Sequence, residues 1–378
     1  MAQVLVINLK IFVSKNKKGD LFISKNHNIF NNTFKDIVKV SNIKKAFKKT
    51  QEGNGKYNNE SIKFKLDYIY NINKISTQLK NKNYIPDKYN IFQITKPKER
   101  TIAAPSFRDK LIQFSVHRIL NPIFENKFIY NSYSCINNKG THKCAQRTKY
   151  FLRKASWKWN TPWILKADIK KFFYNINHKI LKNILSREIK DNNTLYILFQ
   201  IINYSPENIG LPLGNITSQL FANVYLNELD QYIKCKLSKE FYCRYMDDFI
   251  CVVRSKKEAK QLKNKINIFI KDKLNIEFNK NKTQIFPVEQ GVNFTGYKIW
   301  KTHMLLRKKS KKTIKTKLKK IQKLFLNNDI PKRKVEQILN SWKGHSDFAC
   351  NFNFKNYLIN RFNFIEIKND KFIVKEGE

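Results

Sequence analysis

The stretch from Phe241 to Val253, FYCRYMDDFICVV, places two adjacent carboxylates between two apolar runs. Apolar and β-prone residues on either side of a short polar segment predict a hairpin, with Asp247 and Asp248 at its tip. Two neighbouring carboxylates repel each other, and burial makes their ionisation costlier. A divalent cation offsets both effects, and oxygen ligands select hard ions such as Mg²⁺. A turn of two solvated aspartates is the alternative interpretation.

A third acidic residue, Asp168, ends the upstream apolar run that begins at Trp163. This run predicts a buried strand with a carboxylate at its end. Opposite the hairpin, Asp168 would complete a set of carboxylates able to hold two metal ions about 3.5–4 Å apart. Such a pair of ions activates a hydroxyl nucleophile and stabilises a leaving pyrophosphate during phosphoryl transfer. Taken alone, Asp168 would instead be interpreted as an acidic residue that initiates a helix.

The composition favours a nucleic-acid partner. Lys and Arg number 74 against 29 acidic residues, a net charge of +45 over 378 residues. A charge of this size repels itself unless a polyanion neutralises it. Part of the lysine excess has a different source, because the chain is also rich in Asn and Ile, as products of AT-rich genomes tend to be. A hydrophobic content of 42% predicts a packed core of two or three subdomains rather than a disordered basic tail.

The cysteines and the hydropathy pattern exclude several other classes. No pair of cysteines has the CxxC spacing of a zinc finger, and their scatter through apolar segments predicts buried free thiols in a reducing compartment. No apolar run approaches the length of a membrane span, and the N-terminus lacks the features of a signal peptide. We therefore expect a cytoplasmic protein without a membrane partner. The cysteines are Cys135, Cys144, Cys235, Cys243, Cys251 and Cys350.

With Asp168 upstream of it, the Tyr245-Met246-Asp247-Asp248 motif resembles the active-site motif of reverse transcriptases. The resemblance extends roughly over residues 90–354. It implies an α+β right-hand polymerase fold with fingers, a palm of antiparallel sheet plus helices, and a helical thumb. The expected divisions are an N-terminal extension at 1–60, fingers and palm at 61–295 and a thumb at 296–378. The implied activity is RNA-directed DNA synthesis, which is a nucleotidyl transfer.

The resemblance also implies roles for individual residues at the metal site. Asp168 and Asp247 would bridge two Mg²⁺ ions, for which Mn²⁺ is a possible substitute. Asp248 would be a supporting carboxylate, and the carbonyl of Ile169 a backbone ligand. Lys282, which precedes an expected strand at 293–297, would protonate the leaving pyrophosphate. A solvated surface lysine is the alternative interpretation of Lys282.

A second group of residues is expected at the incoming nucleotide. Lys98 and Arg100 lie in a basic turn between two β-like segments, where the family contacts the triphosphate, and forked hydrogen bonds suit Arg to phosphate. Phe173, five residues after Asp168, falls where the family keeps an aromatic ring that excludes a ribose 2′-hydroxyl. The alternatives are solvated basic side chains and a phenylalanine of the core.

The segment GLPLGNITSQ, from Gly210 to Gln219, discriminates within the family. Most reverse transcriptases have Pro-Gln-Gly here, with the Gln beside the nascent base pair. This chain has Leu213 and Gly214 after the proline, followed by Asn215 and, four residues later, Gln219. The pattern is similar to that of diversity-generating retroelements, whose enzymes copy a template RNA with frequent errors at adenines. The cDNA then replaces a variable region in a target gene.

The resemblance further implies partners, and it leaves alternatives open. The expected partners are a template RNA, an RNA–DNA duplex, deoxynucleoside triphosphates and a small basic accessory variability protein. Group II intron enzymes are disfavoured because they keep the Gln and usually add further domains, and the acidic residues after Trp300 lack the clustering of a nuclease. A retron-type or defence-associated enzyme stays possible because Phe294-Thr295-Gly296 is similar to a retron motif. A catalytically inactive RNA-binding protein is weakened by the presence of all three carboxylates.

Helical periodicity predicts three further elements. Apolar residues recur at helical spacing from Ser61 to Lys80, and Ser106 is placed to cap a helix that continues through Leu120. A third helix is expected at 309–328, with one apolar stripe and lysines on its other faces. A polar loop is expected at 51–60.

Overall fold

The computed structural model describes residues 12–15, 21–24, 32–52, 57–95, 98–205 and 209–375. The helices are α1 (Thr33–Val38), α2 (Val40–Thr50), α3 (Asn59–Leu66), α4 (Tyr68–Lys80), α5 (Phe107–Glu125), α6 (Thr141–Lys158), α7 (His178–Glu188), α8 (Asn192–Asn203), α9 (Ile216–Gln231), α10 (Lys256–Leu274), α11 (Lys308–Leu326), α12 (Lys332–Ser346) and α13 (Phe352–Arg361). The strands are β1 (Phe12–Lys15), β2 (Leu21–Ser24), β3 (Asn90–Ile94), β4 (Arg100–Ala104), β5 (Trp163–Asp168), β6 (Phe241–Tyr245), β7 (Asp248–Val253), β8 (Gln284–Pro287), β9 (Val292–Phe294), β10 (Tyr297–Ile299), β11 (Met304–Leu306), β12 (Ile365–Lys368) and β13 (Lys371–Val374).

An antiparallel sheet with the strand order β6-β7-β5-β8 lies at the centre of the fold. The predicted hairpin is its β6–β7 pair, and Tyr245 lies opposite Asp248 in the ladder. One detail of the prediction was wrong, because Asp248 is the first residue of β7 and only Met246 and Asp247 form the turn. Met246 closes this turn with a φ of 55°. The two carboxylates therefore differ in environment, one in the turn and one in the ladder.

Helices and a second sheet cover the two faces of the central sheet. Side chains alternate between faces along a strand. Leu165, Phe249 and Cys251 pack into the largest core, with α9 and α10. Ile164 and Ile250 point to the opposite face, where α6 and the β9–β11 sheet form a second core. By the same alternation Asp168 and Asp248 belong to this second face, at the end of their strands.

The N-terminal part of the described fold contains α1–α5 and the β3–β4 hairpin. The hairpin pairs in register from Asn90 opposite Ala104 to Ile94 opposite Arg100. Ser106 caps α5 as predicted, since its hydroxyl accepts a hydrogen bond from the Asp109 amide. The single helix predicted at 61–80 was wrong, because the chain breaks at Asp67 into α3 and α4. The apolar residues before the break do not share one buried face, and Leu66 is 78% exposed.

The C-terminal part has its own core, formed by α11–α13 and the β12–β13 hairpin. Ile314, Leu318 and Ile321 of α11 are buried there, so the predicted apolar stripe is present. The strand expected at 293–297 was wrong. Thr295 and Gly296, with φ values of 44° and 97°, form the turn between β9 and β10.

The predicted α+β class is the observed one, with helices packed on antiparallel sheets. Part of the loop expected at 51–60 and part of the proposed N-terminal extension at 1–60 lie outside the described residues. Of the six free thiols, Cys144, Cys243 and Cys251 are buried; the expectation of burial was wrong for the other three, which are exposed. Within the described ranges, no helix combines the length and apolar character that crossing a bilayer requires.

Candidate active site

A cleft of about 800 Å³ contains nearly all of the site residues predicted from the sequence. Its walls come from the β3–β4 turn, the end of β5, the turn before α9 and the β6–β7 hairpin. Ile169 is absent from the cleft lining and its side chain is buried, while its amide donates to the Asp247 carbonyl at 3.1 Å. The predicted residues that the cleft brings together are Lys98, Arg100, Asp168, Phe173, Leu213, Gly214, Asn215, Gln219, Asp247, Asp248 and Lys282.

The three carboxylates line the same cleft, near the point where β5 ends and β7 begins. Asp168 lies directly opposite Asp248 in the β5–β7 ladder. Burial, reinforced by the charge of Asp168, raises the pKa of Asp247 above its ordinary range. Burial also raises the pKa of Asp248 to about 6, although Lys166 opposes the shift. Two of the three groups are therefore held in surroundings that disfavour negative charge unless a cation accompanies it.

Two lysines stand beside these carboxylates. The Lys282 ammonium donates to both oxygens of Asp168 at 2.9 Å, and Lys166 lies 3.4 Å from Asp248. The Lys282 side chain is 46% exposed and lines the cleft, while the Asp168 side chain is only 10% exposed. The lysine predicted as a proton donor thus lies at the site and is held by a carboxylate.

The donor set fits a hard divalent cation. In the described part of the chain, no three acidic, His or Cys side chains converge as a ready-made metal cluster. One oxygen of Asp248, Oδ1, is nevertheless buried without a hydrogen-bond partner among these residues. Among the backbone hydrogen bonds of the described residues that lie outside helices and strands, none is accepted by the Ile169 carbonyl. The candidate ligands are all oxygen atoms, which Mg²⁺ and Mn²⁺ prefer. Asp168, Asp247, Asp248 and the Ile169 carbonyl are the groups that could hold such ions.

A buried arginine supports the tip of the hairpin, and sequence reasoning missed it. The Arg244 guanidinium forms a forked pair with Asp230, at 2.8 and 2.6 Å, and both side chains are fully buried. Its remaining nitrogen donates to the Met246 carbonyl at 3.0 Å, in the turn that carries Asp247, and to the Asn223 side-chain oxygen at 3.2 Å. The Tyr242 hydroxyl donates to Asp230 at 2.6 Å. An arginine inside an apolar strand was the available signal, because a buried guanidinium needs an acidic partner.

The turn before α9 is fixed against the fingers hairpin. The Ala103 amide donates to the Leu213 carbonyl at 2.9 Å. Gly214 has a φ of 134°, and a Cβ there would lie 2.8 Å from the Ala103 oxygen, so no larger residue fits. The Asn215 amide donates to the Tyr89 hydroxyl at 2.7 Å, while its buried Oδ1 has no partner among the described residues. The turn therefore places Leu213 on the cleft wall and leaves a buried amide oxygen of Asn215 without a partner among the described residues.

Two consecutive phenylalanines have different positions. Phe172 is buried in the largest core, whereas Phe173 is half-buried on the cleft wall. The Phe173 carbonyl accepts from the Leu211 amide at 2.7 Å, which joins this wall to the turn before α9. The position expected for an aromatic ring beside the nucleotide is thus occupied by a ring that faces the cleft.

Residues 82–299, more than half of the chain, match the profile of the family described as reverse transcriptase (RNA-dependent DNA polymerase). The chain belongs to the reverse transcriptase family. The predicted right-hand polymerase fold is confirmed at the level of the family.

Individual relatives of this reverse transcriptase are about a quarter identical to it over the aligned residues. The group II intron-encoded protein LtrA of Lactococcus lactis subsp. cremoris is 27% identical over 301 residues, which cover 60% of this chain and 49% of LtrA. Protein YkfC of Escherichia coli K12 is 24% identical, over 57% of this chain and 65% of that protein. The COX1/OXI3 intron 2 protein of Saccharomyces cerevisiae is 24% identical, over 79% of this chain and 42% of that protein.

The reverse transcriptase therefore spans between 42% and 65% of the length of these relatives. Among solved structures, apo telomerase from Candida tropicalis matches with a TM-score of 0.48 and 16% identity, over 65% of this chain and 54% of that one.

The cleft of this reverse transcriptase also contains residues that the sequence analysis did not select. They are mainly basic and polar side chains. Two of them, Lys166 and Arg307, interact electrostatically with Asp248. Burial lowers the pKa of Arg307, and Asp248 opposes that change. Lysine at position 166 was detectable in principle, since it lies in the buried strand β5 and points to the same face as Asp168. The residues missed are Glu99, Ser134, Lys166, Lys171, Phe172, Tyr174, Ser218 and Arg307.

Proposed function

We propose that this chain copies an RNA template into DNA with the three carboxylates as its catalytic centre. The observation that supports this proposal is the pairing of Asp168 with Asp248 across β5 and β7, with Asp247 joined to Ile169 through the backbone. The basic turn with Lys98 and Arg100 lines the opposite wall of the same cleft. This combination supplies anionic oxygen donors for metal ions and positive charge for a triphosphate.

Each group has a defined role in the proposed reaction. Two divalent ions, proposed to be Mg²⁺ with Mn²⁺ as a substitute, would activate the primer 3′-hydroxyl and neutralise the leaving pyrophosphate. Asp168, Asp247, Asp248 and the Ile169 carbonyl are proposed to hold them. Lys282, now bonded to Asp168, would transfer a proton to the pyrophosphate oxygen as the P–O bond breaks.

The remaining cleft residues are proposed to position the nucleotide. Lys98 and Arg100 would bind the triphosphate through charge-assisted hydrogen bonds. The Phe173 ring would exclude a ribose 2′-hydroxyl by contact. Leu213, Gly214, Asn215 and Gln219 would form the surface under the nascent base pair. The proposed divisions of the chain are an N-terminal extension at residues 1–60, the fingers and palm at 61–295, and the thumb at 296–378.

Primer extension by the purified chain tests the polymerase assignment. With an RNA template, a DNA primer, deoxynucleotides and Mg²⁺, we expect templated cDNA, and none after chelation of the metal. Absence of product on several RNA templates, with both Mg²⁺ and Mn²⁺ supplied, would contradict the assignment.

Within the family, we propose the diversity-generating retroelement type, which makes adenine-directed errors. Leu213 supports this proposal, because its side chain lines the cleft where a Gln would offer a hydrogen bond to the nascent pair. One hydrogen bond contributes roughly 0.5–1.5 kcal/mol, so its loss changes misincorporation by up to about tenfold. The proposed partners are a template RNA, the RNA–DNA duplex, deoxynucleotides and a small basic accessory protein. We expect the reaction in the cytoplasm.

Sequencing of the cDNA tests this subtype. We expect misincorporation concentrated opposite template adenine, and a changed error spectrum in Leu213→Gln. A uniformly low error rate would instead favour the intron-type enzyme, the second candidate, because two of the matched relatives are intron proteins. If Leu213→Gln leaves an adenine-directed spectrum unchanged, Leu213 has only a packing role.

A further inference from the structure

The outward face of α6 carries basic and aromatic side chains at helical spacing. The helix buries Cys144, Ala145, Phe151, Leu152 and Ala155 against the second core. The opposite face is exposed or half-buried, and we call it the α6 track. The α6 track consists of Lys143, Arg147, Tyr150, Arg153, Lys154 and Trp157.

Cations and rings alternate along the α6 track. The Arg147 guanidinium lies 5.0 Å from the centre of the Tyr150 ring. Lys154 lies 5.8 Å from that ring and 5.0 Å from the Trp157 ring. Arg153 lies 5.2 Å from Trp157 on the same turn. Each ring is thus held between positive charges, and Trp157 is 68% exposed although it is among the most apolar side chains.

The α6 track continues toward the active-site cleft without adding a residue to its lining. Arg147 also contacts the ring of Tyr130, at 5.5 Å, and Tyr130 is 71% exposed. Lys139 lies 5.0 Å from Tyr130 and 5.5 Å from Tyr133. Ser134, the next residue, lines the cleft. A path of alternating cations and rings therefore leads from the edge of the cleft along α6 to Trp157.

The segment that contains this path has no negative charge. Residues 126–167 include nine Lys or Arg residues and no Asp or Glu. Three of the nine, Lys127, Lys158 and Lys166, form ion pairs with acidic residues from elsewhere. In the ranges that the structure describes, no acidic side chain pairs with the four basic residues of the α6 track. Their charge is available to a polyanion.

We infer that the α6 track binds a single-stranded segment of RNA outside the polymerase cleft. Exposed rings flanked by cations stack on unpaired bases, and the cations neutralise the phosphates between them. A duplex hides its base faces, and an acidic peptide offers charge without planar groups, so neither uses Tyr150 and Trp157. From Lys143 to Trp157 the helix rises about 21 Å, enough for a few extended nucleotides. The identification of this RNA as the template rests on the proposed function; binding itself does not.

Aromatic variants of the full chain test the inference. We would measure fluorescence anisotropy with an unstructured single-stranded RNA for wild type, Trp157→Ala and Tyr150→Ala. Stacking on each ring predicts about tenfold weaker binding for either variant, with little change for a hairpin RNA of the same length. The matched control is Tyr70→Ala, because Tyr70 is an exposed ring of α4 with Lys74 at 5.9 Å. Equal affinity of Trp157→Ala and Tyr70→Ala would overturn the inference.

Charge variants and polymerisation assays separate the remaining outcomes. Arg153→Gln with Lys154→Gln should weaken RNA binding more than Lys260→Gln with Lys265→Gln, which removes the same charge from α10. Equal losses, or competition by polyglutamate as strong as by RNA, would mean a general polyanion surface and would contradict the inference. Extension of a short primer–template should be unchanged in Trp157→Ala. If the wild type binds RNA through Trp157 but does not polymerise, RNA binding by the α6 track is supported and the proposed function is contradicted. If the wild type polymerises and Trp157→Ala binds RNA as tightly as the wild type does, only the α6 track is contradicted.

Discussion

Replacing Arg244 by Met should both destabilise the protein and impair the active site. The guanidinium donates to Asp230 twice, to the Met246 carbonyl once and to the Asn223 side-chain oxygen once, and neither charged side chain is exposed. Removing one partner of a buried pair costs about 3–5 kcal/mol, because the remaining charge is left uncompensated. We expect Arg244→Met to lower the free energy of unfolding by about this amount.

A second substitution separates stability from positioning. In Arg244→Met with Asp230→Leu, both charges are gone, and apolar replacement of a buried pair is often neutral. The Tyr242 hydroxyl then loses its acceptor, which costs about 1–3 kcal/mol. We therefore expect partial recovery of stability. Activity should stay low in the double variant, because the Met246 carbonyl still lacks its donor and the turn with Asp247 is less constrained.

Urea denaturation and single-nucleotide primer extension measure the two effects. The matched control is Arg187→Met, which removes an exposed pair with Glu228 and should cost about 0–1 kcal/mol. A loss in Arg244→Met as small as in this control would refute the stability argument. Full recovery of the extension rate in the double variant would refute the positioning role of Arg244.

Three further predictions concern pH, sugar selection and salt. Since the pKa of Asp248 is raised to about 6, the metal-free protein should lose up to about 3 kcal/mol of stability as pH rises from about 4 through 6. Thermal melts should show this loss, absent in Asp248→Asn, and Mg²⁺ should raise the melting temperature more at pH 7 than at pH 5. Phe173→Ala should incorporate ribonucleotides at a rate closer to that for deoxynucleotides. If competition assays show an unchanged preference for deoxynucleotides, Phe173 has only a packing role. The logarithm of RNA affinity should fall linearly with the logarithm of salt concentration, by about 0.7 per phosphate contacted; an affinity independent of salt would show that the +45 charge is not used on RNA.

The sequence predicted those parts of the site that depend on local pattern. Apolar runs around Asp247 and Asp248 indicated the hairpin, and the run ending at Asp168 indicated the facing strand. Register was not predictable, because pairing of Tyr245 with Asp248 depends on the closure of the turn by Met246. The pattern therefore identified the carboxylates but placed one of them a residue too far into the turn.

Long-range partners were beyond the reach of the sequence pattern. Asp230 lies on α9 and Arg244 on β6, and only the packing of the helix on the sheet brings their charges together. The break at Asp67 was missed for a related reason. Helical spacing continues through it, but burial begins only in α4, where Ile72, Ile75 and Leu79 reach the core.

Single-turnover addition of one deoxynucleotide to a primer on RNA tests the central claim most directly. Asp247→Asn removes a proposed metal ligand at nearly constant volume, and Asp272→Asn makes the same change at an exposed position of α10. Both variants should bind the primer–template as the wild type does. We predict that Asp247→Asn reduces the rate by at least about a thousandfold, equivalent to roughly 4 kcal/mol, while Asp272→Asn matches the wild type. Addition by Asp247→Asn at a rate near that of Asp272→Asn would contradict the catalytic role of the carboxylates.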